Sequence, residues 1–79
     1  MEIKITLKMR ILLAIDERLN YAGKIAKSLK TYISSVGTIL PKMEKEGLIE
    51  SKKIGRKKLV TLTTKGERAK LLLNQLLSL

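Results

Sequence analysis

Apolar side chains recur at helical spacing near the start of this 79-residue chain. The stripe that repeats every fourth residue consists of Leu7, Ile11, Ile15 and Leu19. Such spacing places apolar residues on one face of a helix, and Thr6 stands before the stripe as a candidate N-cap. The pattern predicts a first helix over about 7–19. Before it, Ile3 and Ile5 alternate with polar residues, which is typical of a short extended segment.

Two further stripes predict a pair of helices joined by a tight turn. The shorter stripe is Ile25, Ala26 and Leu29. It predicts a second helix over about 21–29, with Asn20 as a candidate cap. The longer stripe is Val36, Ile39, Leu40 and Met43. It predicts a third helix over about 32–46 that ends at Gly47, a residue suited to the left-handed position after a helix.

Pro41 conflicts with an unbroken third helix. Its ring removes one N–H donor and crowds the carbonyl of residue 37, which is a glycine with freedom to adjust. The sequence predicts a kink near 37–41, and the alternative is a break at Leu40.

The segment after Gly47 reads as a β-hairpin. It has strands over 49–54 and 57–62, and Gly55 lies in the turn between them. Alternation predicts that Val60 and Leu62 point inward and that Lys58 and Thr61 point outward.

Thr63 or Thr64 then begins a last helix, and Thr64 and Glu67 have the spacing of a capping box. The leucines of this helix cover a wider arc than one core-facing stripe needs, and Leu71 lies outside that arc. The first helix carries a second apolar stripe as well. This surplus of apolar residues predicts a homodimer interface, and the alternative is exposed leucines on a frayed helix. The predicted interface residues are Met9, Leu13, Leu72, Leu73, Leu76 and Leu77.

Composition adds a net charge of +10, from 17 basic and 7 acidic residues. Residues 24–58 hold ten basic and three acidic side chains. Such an excess favours a polyanionic partner, with nucleic acid first and an anionic membrane second. No outward basic amphipathic helix supports the membrane, and the longest apolar run, Ile11–Ile15, is far shorter than the ~20 residues of a transmembrane helix. The expected location is therefore cytoplasmic and DNA-associated.

Cysteine and histidine are absent from the sequence, as are phenylalanine and tryptophan. Their absence excludes disulfides, zinc held by cysteine or histidine, and catalysis by either residue. Asp16 and Glu17 are adjacent carboxylates with no second group to complete an active site. An enzyme is the least expected class, and no metal or cofactor is predicted. Whether a small-molecule effector binds is left open by the sequence.

The second and third helices resemble the helix-turn-helix of winged-helix regulators. The matching positions are Ile25-Ala26, Ser35-Val36 and Met43-Glu44-Lys45-Glu46-Gly47-Leu48-Ile49. The segment Val60-Thr61-Leu62-Thr63-Thr64-Lys65-Gly66 resembles the V-x-L-T-x-x-G sequence that leaves the wing in MarR-like repressors.

The resemblance implies an α+β, mainly α, winged helix-turn-helix with a three-helix core, a β-hairpin wing and a C-terminal dimerisation helix. It implies one domain over 1–79, with the helix-turn-helix at about 21–46, the wing at about 49–62 and the last helix at about 64–79. These 79 residues are expected to form one complete DNA-binding half.

The same resemblance, together with the positions of small polar and basic residues, predicts three groups of DNA-binding residues. The recognition helix contributes Tyr32, Ser34, Ser35, Gly37, Thr38 and Lys42. The wing contributes Lys52, Lys53, Arg56, Lys57 and Lys58, and the second helix contributes Lys24, Lys27 and Lys30 to the backbone.

Each group of residues also has a structural interpretation that does not involve DNA. The serines suit a first helical turn, Tyr32 can cover the junction of the two helices, and the lysines can form solvated faces. Ile33 either touches a thymine methyl group or is buried.

The predicted function is a sequence-specific regulator of transcription that binds double-stranded DNA as a homodimer. One alternative is a non-specific DNA-coating protein, since 13 lysines against 4 arginines favour phosphate contacts over base contacts. Another alternative is a winged-helix subunit that binds a different protein.

Overall fold

The computed structural model of the protein describes residues 5–18 and 20–78. Its elements in chain order are α1 (Leu7–Ala14), α2 (Ala22–Leu29), α3 (Ile33–Lys45), β1 (Ile49–Ile54), β2 (Lys57–Leu62) and α4 (Thr64–Leu77). The predicted order of mainly helical elements with one hairpin is confirmed. Three predicted positions lie outside the described residues. They are Ile3 of the predicted extended segment, Leu19 of the first helix and Leu79 of the last helix.

One apolar core joins the helices to the hairpin. Its largest fully buried side chains are Ile11, Ile15, Ile25, Val36, Met43 and Ile49. Val60 of β2 and Leu73 of α4 are buried in the same cluster. Burial of one such side chain contributes about 1.5–3 kcal/mol, so apolar packing rather than helix propensity holds the elements in place.

The first helix ends at Ala14, so the prediction of a helix to residue 19 is wrong. Thr6 is its N-cap, as predicted, and accepts a hydrogen bond from the Met9 N–H at 3.2 Å. The backbone becomes extended at Ile15, and the Asp16 carboxylate accepts a bond from the Arg18 N–H at 2.8 Å. A side chain that bonds its own backbone competes with the helix.

The chain leaves α1 early because it must reach the edge of the hairpin. There the carbonyl of Asn20 accepts a hydrogen bond from the N–H of Val60 at 2.7 Å. The predicted capping role of Asn20 is wrong, because the N-cap of α2 is Tyr21 and it makes no capping bond through its side chain.

The third helix runs through Pro41 without ending, so the alternative of a break at Leu40 is wrong. A Cβ added to Gly37 would meet no atom within 4 Å, so this turn of the helix lies open to solvent. Gly47 follows the helix with a φ of +79°, and Leu48 donates to the Met43 carbonyl at 3.0 Å. The predicted glycine stop is therefore confirmed as a Schellman motif.

The hairpin pairs β1 with β2 antiparallel, from Ile49 opposite Leu62 to Ile54 opposite Lys57. Its two-residue turn has Gly55 at a φ of +61°, the pattern of a type II′ turn, in which glycine stands first.

α4 begins at its N-cap Thr63, whose hydroxyl accepts a hydrogen bond from the Gly66 N–H at 3.0 Å. The capping box predicted between Thr64 and Glu67 is wrong, because the cap lies one residue earlier. A Cβ on Gly66 would overlap the carbonyl oxygen of Leu48. Only glycine lets the first turn of α4 pack this closely on the end of α3.

Candidate nucleic-acid interface

One long side of α3 is exposed to solvent. The exposed residues on this side are Ile33, Ser34, Gly37, Thr38, Pro41 and Lys42. They follow one another at alternating intervals of one and three residues, which places them on one face of a helix. Val36, Leu40 and Met43 on the opposite face are buried in the core. The core therefore holds α3 so that a face of mixed character points outward, with Ile33 and Pro41 beside the small polar residues.

The predicted recognition residues differ in how much they expose. Tyr32, the N-cap residue of α3, is 80% exposed, so it does not cover the junction with α2. Ser34 is exposed, whereas Ser35 is half-buried. The Thr38 hydroxyl donates to the Ser34 carbonyl at 2.9 Å, and its hydrogen is thus used within the helix.

The lysines of α2 lie on its solvent face and at its end. Lys24 and Lys27 are exposed. Lys30 has a left-handed backbone, with a φ of +55°, at the turn into α3. The Thr31 N–H donates to the Ala26 carbonyl at 3.0 Å, which closes the turn as a second Schellman motif. This turn sets the direction in which α3 leaves α2.

The wing is the hairpin β1–β2, and all five of its predicted basic residues are exposed; they are Lys52, Lys53, Arg56, Lys57 and Lys58. The prediction that Lys58 points away from the core face together with Thr61 is wrong. Strand alternation places Lys58 on the face of Val60, and its Nζ lies 3.8 Å from a carboxylate oxygen of Glu44 on α3.

A second bond fixes the same carboxylate. The Ser51 hydroxyl of β1 donates to Glu44 at 2.7 Å. Glu44 thus joins both wing strands to α3, and the wing stands beside that helix.

Tyr21 is a residue of this surface that the sequence reasoning missed. The Nζ atoms of Lys24 and Lys57 lie 5.0 Å and 4.8 Å from the centroid of its ring. Both distances are within the range of a cation–π interaction. The ring therefore brings a lysine of α2 and a lysine of the wing to one place. A lone tyrosine between helices carries no sequence signal for such a role.

The leucines predicted for a dimer interface fall into two groups. Leu73 is buried within its own chain, and Met9 and Leu13 are partly buried against the same core. Leu72, Leu76 and Leu77 are exposed. The first group contributes to the core, and the second leaves an apolar strip along α4.

A three-helix core, a helix-turn-helix and a basic hairpin beside its second helix together define a winged helix-turn-helix protein. No protein-family model and no curated protein sequence matches the chain. Solved structures do match it. The crystal structure of AF1382 from Archaeoglobus fulgidus has a TM-score of 0.79 and 24% identity, over 90% of this chain and 84% of the other.

Two further solved structures are similar to the structure of this chain. ZitR of Lactococcus lactis has a TM-score of 0.77 and 26% identity, over 95% of this chain and 54% of its own. MepR of Staphylococcus aureus is a transcription regulator of the multidrug efflux pump MepA. It has a TM-score of 0.76 and 24% identity, over 92% of this chain and 58% of its own. MepR has also been solved in complex with DNA.

These neighbours have the MarR-type winged-helix fold, so the predicted fold and the predicted similarity are confirmed. The chain spans 84% of AF1382 but only somewhat more than half the length of ZitR and MepR. In the part of the chain that the structure describes, no helix has both the length and the apolarity to span a membrane.

Proposed function

We propose that the chain is a regulator of transcription that binds double-stranded DNA through α3 and the wing. The observation that carries the proposal is the meeting of Lys24 of α2 and Lys57 of the wing at the Tyr21 ring, while Glu44 joins the same wing to α3. Three groups of residues predicted separately from the sequence thus lie on neighbouring elements. The solved complex of MepR with DNA, a protein of the same fold, supports this reading.

In this proposal α3 enters the major groove, where small side chains let the helix backbone approach the base edges. The lysines of α2 and of the wing neutralise phosphates on either side, which positions the protein without reading sequence. Arg56, at the wing tip, follows the DNA backbone or enters the minor groove, where arginine is favoured. Residues 21–62 then form the DNA-reading part of one domain, and α4 packs on it through Gly66 and Leu73 without contributing DNA contacts.

The exposed leucines of α4 support a homodimer as the binding species. Leu72, Leu76 and Leu77 give an apolar strip that a second copy would cover. Two-fold symmetry would place two recognition helices about 34 Å apart, in successive major grooves of an inverted repeat. A dimer would also enlarge the small core of a 79-residue chain.

Selection of bound duplexes from a random pool, followed by competition titrations, tests the proposal. We expect enrichment of an inverted repeat, and we expect a scrambled duplex to compete at least about a hundredfold more weakly than the selected one. Equal competition by both duplexes would instead identify a non-specific DNA-coating protein. A chain with no affinity for DNA at low salt would favour a winged-helix subunit that binds another protein.

A further inference from the structure

The first two turns of α3 lack the side chains that read purines most strongly. Arginine or lysine bonds guanine, and asparagine or glutamine bonds adenine, through two hydrogen bonds each. Within Ile33–Lys45 the only residues of these types are Lys42 and Lys45, in the last turn. Lys42 lies nine residues beyond Ile33, about 13 Å further along the helix axis. Since the N-terminal residues of a recognition helix contact the base edges, Lys42 is placed to bind a phosphate.

An exposed isoleucine occupies the start of the helix instead. Ile33 is the first residue of α3 and is 60% exposed, so it is not a core residue. Its Cδ1 lies 3.8 Å from the position that a Cβ on Gly23 would take. One side of the Ile33 side chain therefore rests against the start of α2, and the rest of it faces outward.

The next two turns continue an apolar line from Ile33. Gly37 stands one turn later, and a Cβ there would meet no atom within 4 Å. Pro41 stands one turn further and is exposed. Beside this line, the Thr38 hydroxyl gives its hydrogen to the Ser34 carbonyl at 2.9 Å. Thr38 thus offers a methyl group and an acceptor but no free donor.

We propose that α3 recognises the 5-methyl groups of thymines in the major groove, with Ile33 as the main contact and Gly37 as the point of closest approach. This inference rests on the proposed function and names what the recognition helix reads. The thymine methyl is the one apolar group that base pairs present in the major groove, and it is the group with which an apolar side chain gains free energy.

Deoxyuridine provides the test, because it differs from thymidine only by the missing methyl group. The duplex selected from the random pool is resynthesised with deoxyuridine at each thymidine of one half-site in turn. We expect affinity to fall about fourfold at each contacted position, from ~0.8 kcal/mol for one buried carbon group and 1.4 kcal/mol for each tenfold. Affinity for a scrambled duplex should not change on the same substitution.

Two variants assign the effect to Ile33. We expect Ile33→Ala to bind the thymidine and deoxyuridine duplexes with nearly equal affinity. The control is Ile5→Ala, which alters an isoleucine that is 45% exposed before α1, outside the proposed DNA-reading residues. This control should keep the full preference for thymidine. Thermal unfolding of both variants should match that of the parent chain, because neither side chain belongs to the core.

Each result decides the inference. If the selected duplex binds equally well with deoxyuridine throughout, methyl recognition is wrong, while the selected site still supports the proposed function. A preference for thymidine that survives in Ile33→Ala overturns the assignment to this residue. If the pool yields no preferred duplex, the proposed function and this inference both fail.

Discussion

The Nζ of Lys57, in the wing, lies 4.8 Å from the centroid of the Tyr21 ring, which stands at the start of α2. The Nζ of Lys24 lies 5.0 Å from the same centroid. The ring attracts both cations, which would otherwise repel each other, and so it ties the wing to α2. A DNA phosphate near this pair would be bound by two charges that are already in place, at a smaller cost in side-chain entropy.

The first prediction concerns Tyr21. We expect Tyr21→Leu to weaken binding to any duplex by up to about five- to thirtyfold, because two exposed cation–π interactions of about 0.5–1 kcal/mol each no longer hold Lys24 and Lys57 in place. The measurement is a fluorescence anisotropy titration at fixed salt. Tyr21→Phe keeps the ring and should bind like the parent. Equal binding by the leucine and phenylalanine variants would show that the ring does not position the lysines.

The second prediction concerns the charge of the wing. We expect Arg56→Ala combined with Lys57→Ala to weaken binding to all sequences alike. The slope of log affinity against log salt should become shallower by about 0.9 for each DNA phosphate that the wing no longer neutralises. Arg18→Ala combined with Arg68→Ala removes the same net charge away from the wing and should leave the slope nearly unchanged. Identical slopes for the two double variants would contradict the placement of the wing on DNA.

The third prediction concerns the packing of α4 on the end of α3. We expect Gly66→Ala to lower the free energy of unfolding by about 3 kcal/mol or more, since the added carbon would overlap the Leu48 carbonyl oxygen. Urea denaturation followed by circular dichroism measures the change. For a small domain a reduction of this size is a large part of the total stability.

Gly37→Ala is the matched control, because a Cβ there would meet no atom within 4 Å. We expect this variant to be more stable by about 0.5–1 kcal/mol, as alanine is the better helix former. Its DNA affinity should nevertheless fall, since the new methyl group stands on the proposed DNA-reading face. A similar loss of stability in both glycine variants would refute the account of Gly66.

The fourth prediction concerns self-association. We expect the parent chain to sediment as a dimer at micromolar concentration. Leu72→Ser combined with Leu76→Ser should raise the dimer dissociation constant at least about a hundredfold, because each exposed leucine loses about 1.5 kcal/mol or more of burial. Leu71→Ser, on the other side of α4, should remain dimeric. A monomeric parent chain would remove the dimer from the proposal.

The local pattern of the sequence predicts most of the fold correctly. The stripes of apolar residues locate α2 and α3 to within about one residue, because a helix that packs on one side needs that spacing whatever it packs against. The glycines at 47 and 55 mark the end of α3 and the wing turn, since a positive φ favours glycine in any fold. The basic groups of the candidate interface are also predictable, as lysines and arginines gather in 24–58.

What the sequence missed depends on contacts between distant residues. Helix α1 stops at Ala14 although the apolar stripe continues, because the Asn20 carbonyl pairs with Val60 of β2. The approach of Lys58 to Glu44 of α3 likewise depends on how the wing packs against that helix, although the face of Lys58 itself follows from alternation with Val60.

The sequence by itself determined the order of the elements and the position of the positive charge, because these follow from side-chain spacing, local backbone preferences and composition. The class of fold was implied by the resemblance of residues 25–49 and 60–66 to winged-helix regulators. Tertiary structure alone decided that Tyr21 joins Lys24 to Lys57, that Leu73 is buried while Leu72 is exposed, and that Ile33 faces outward. These are consequences of how the helices and the wing meet around one core, and a linear pattern does not contain the distances between elements.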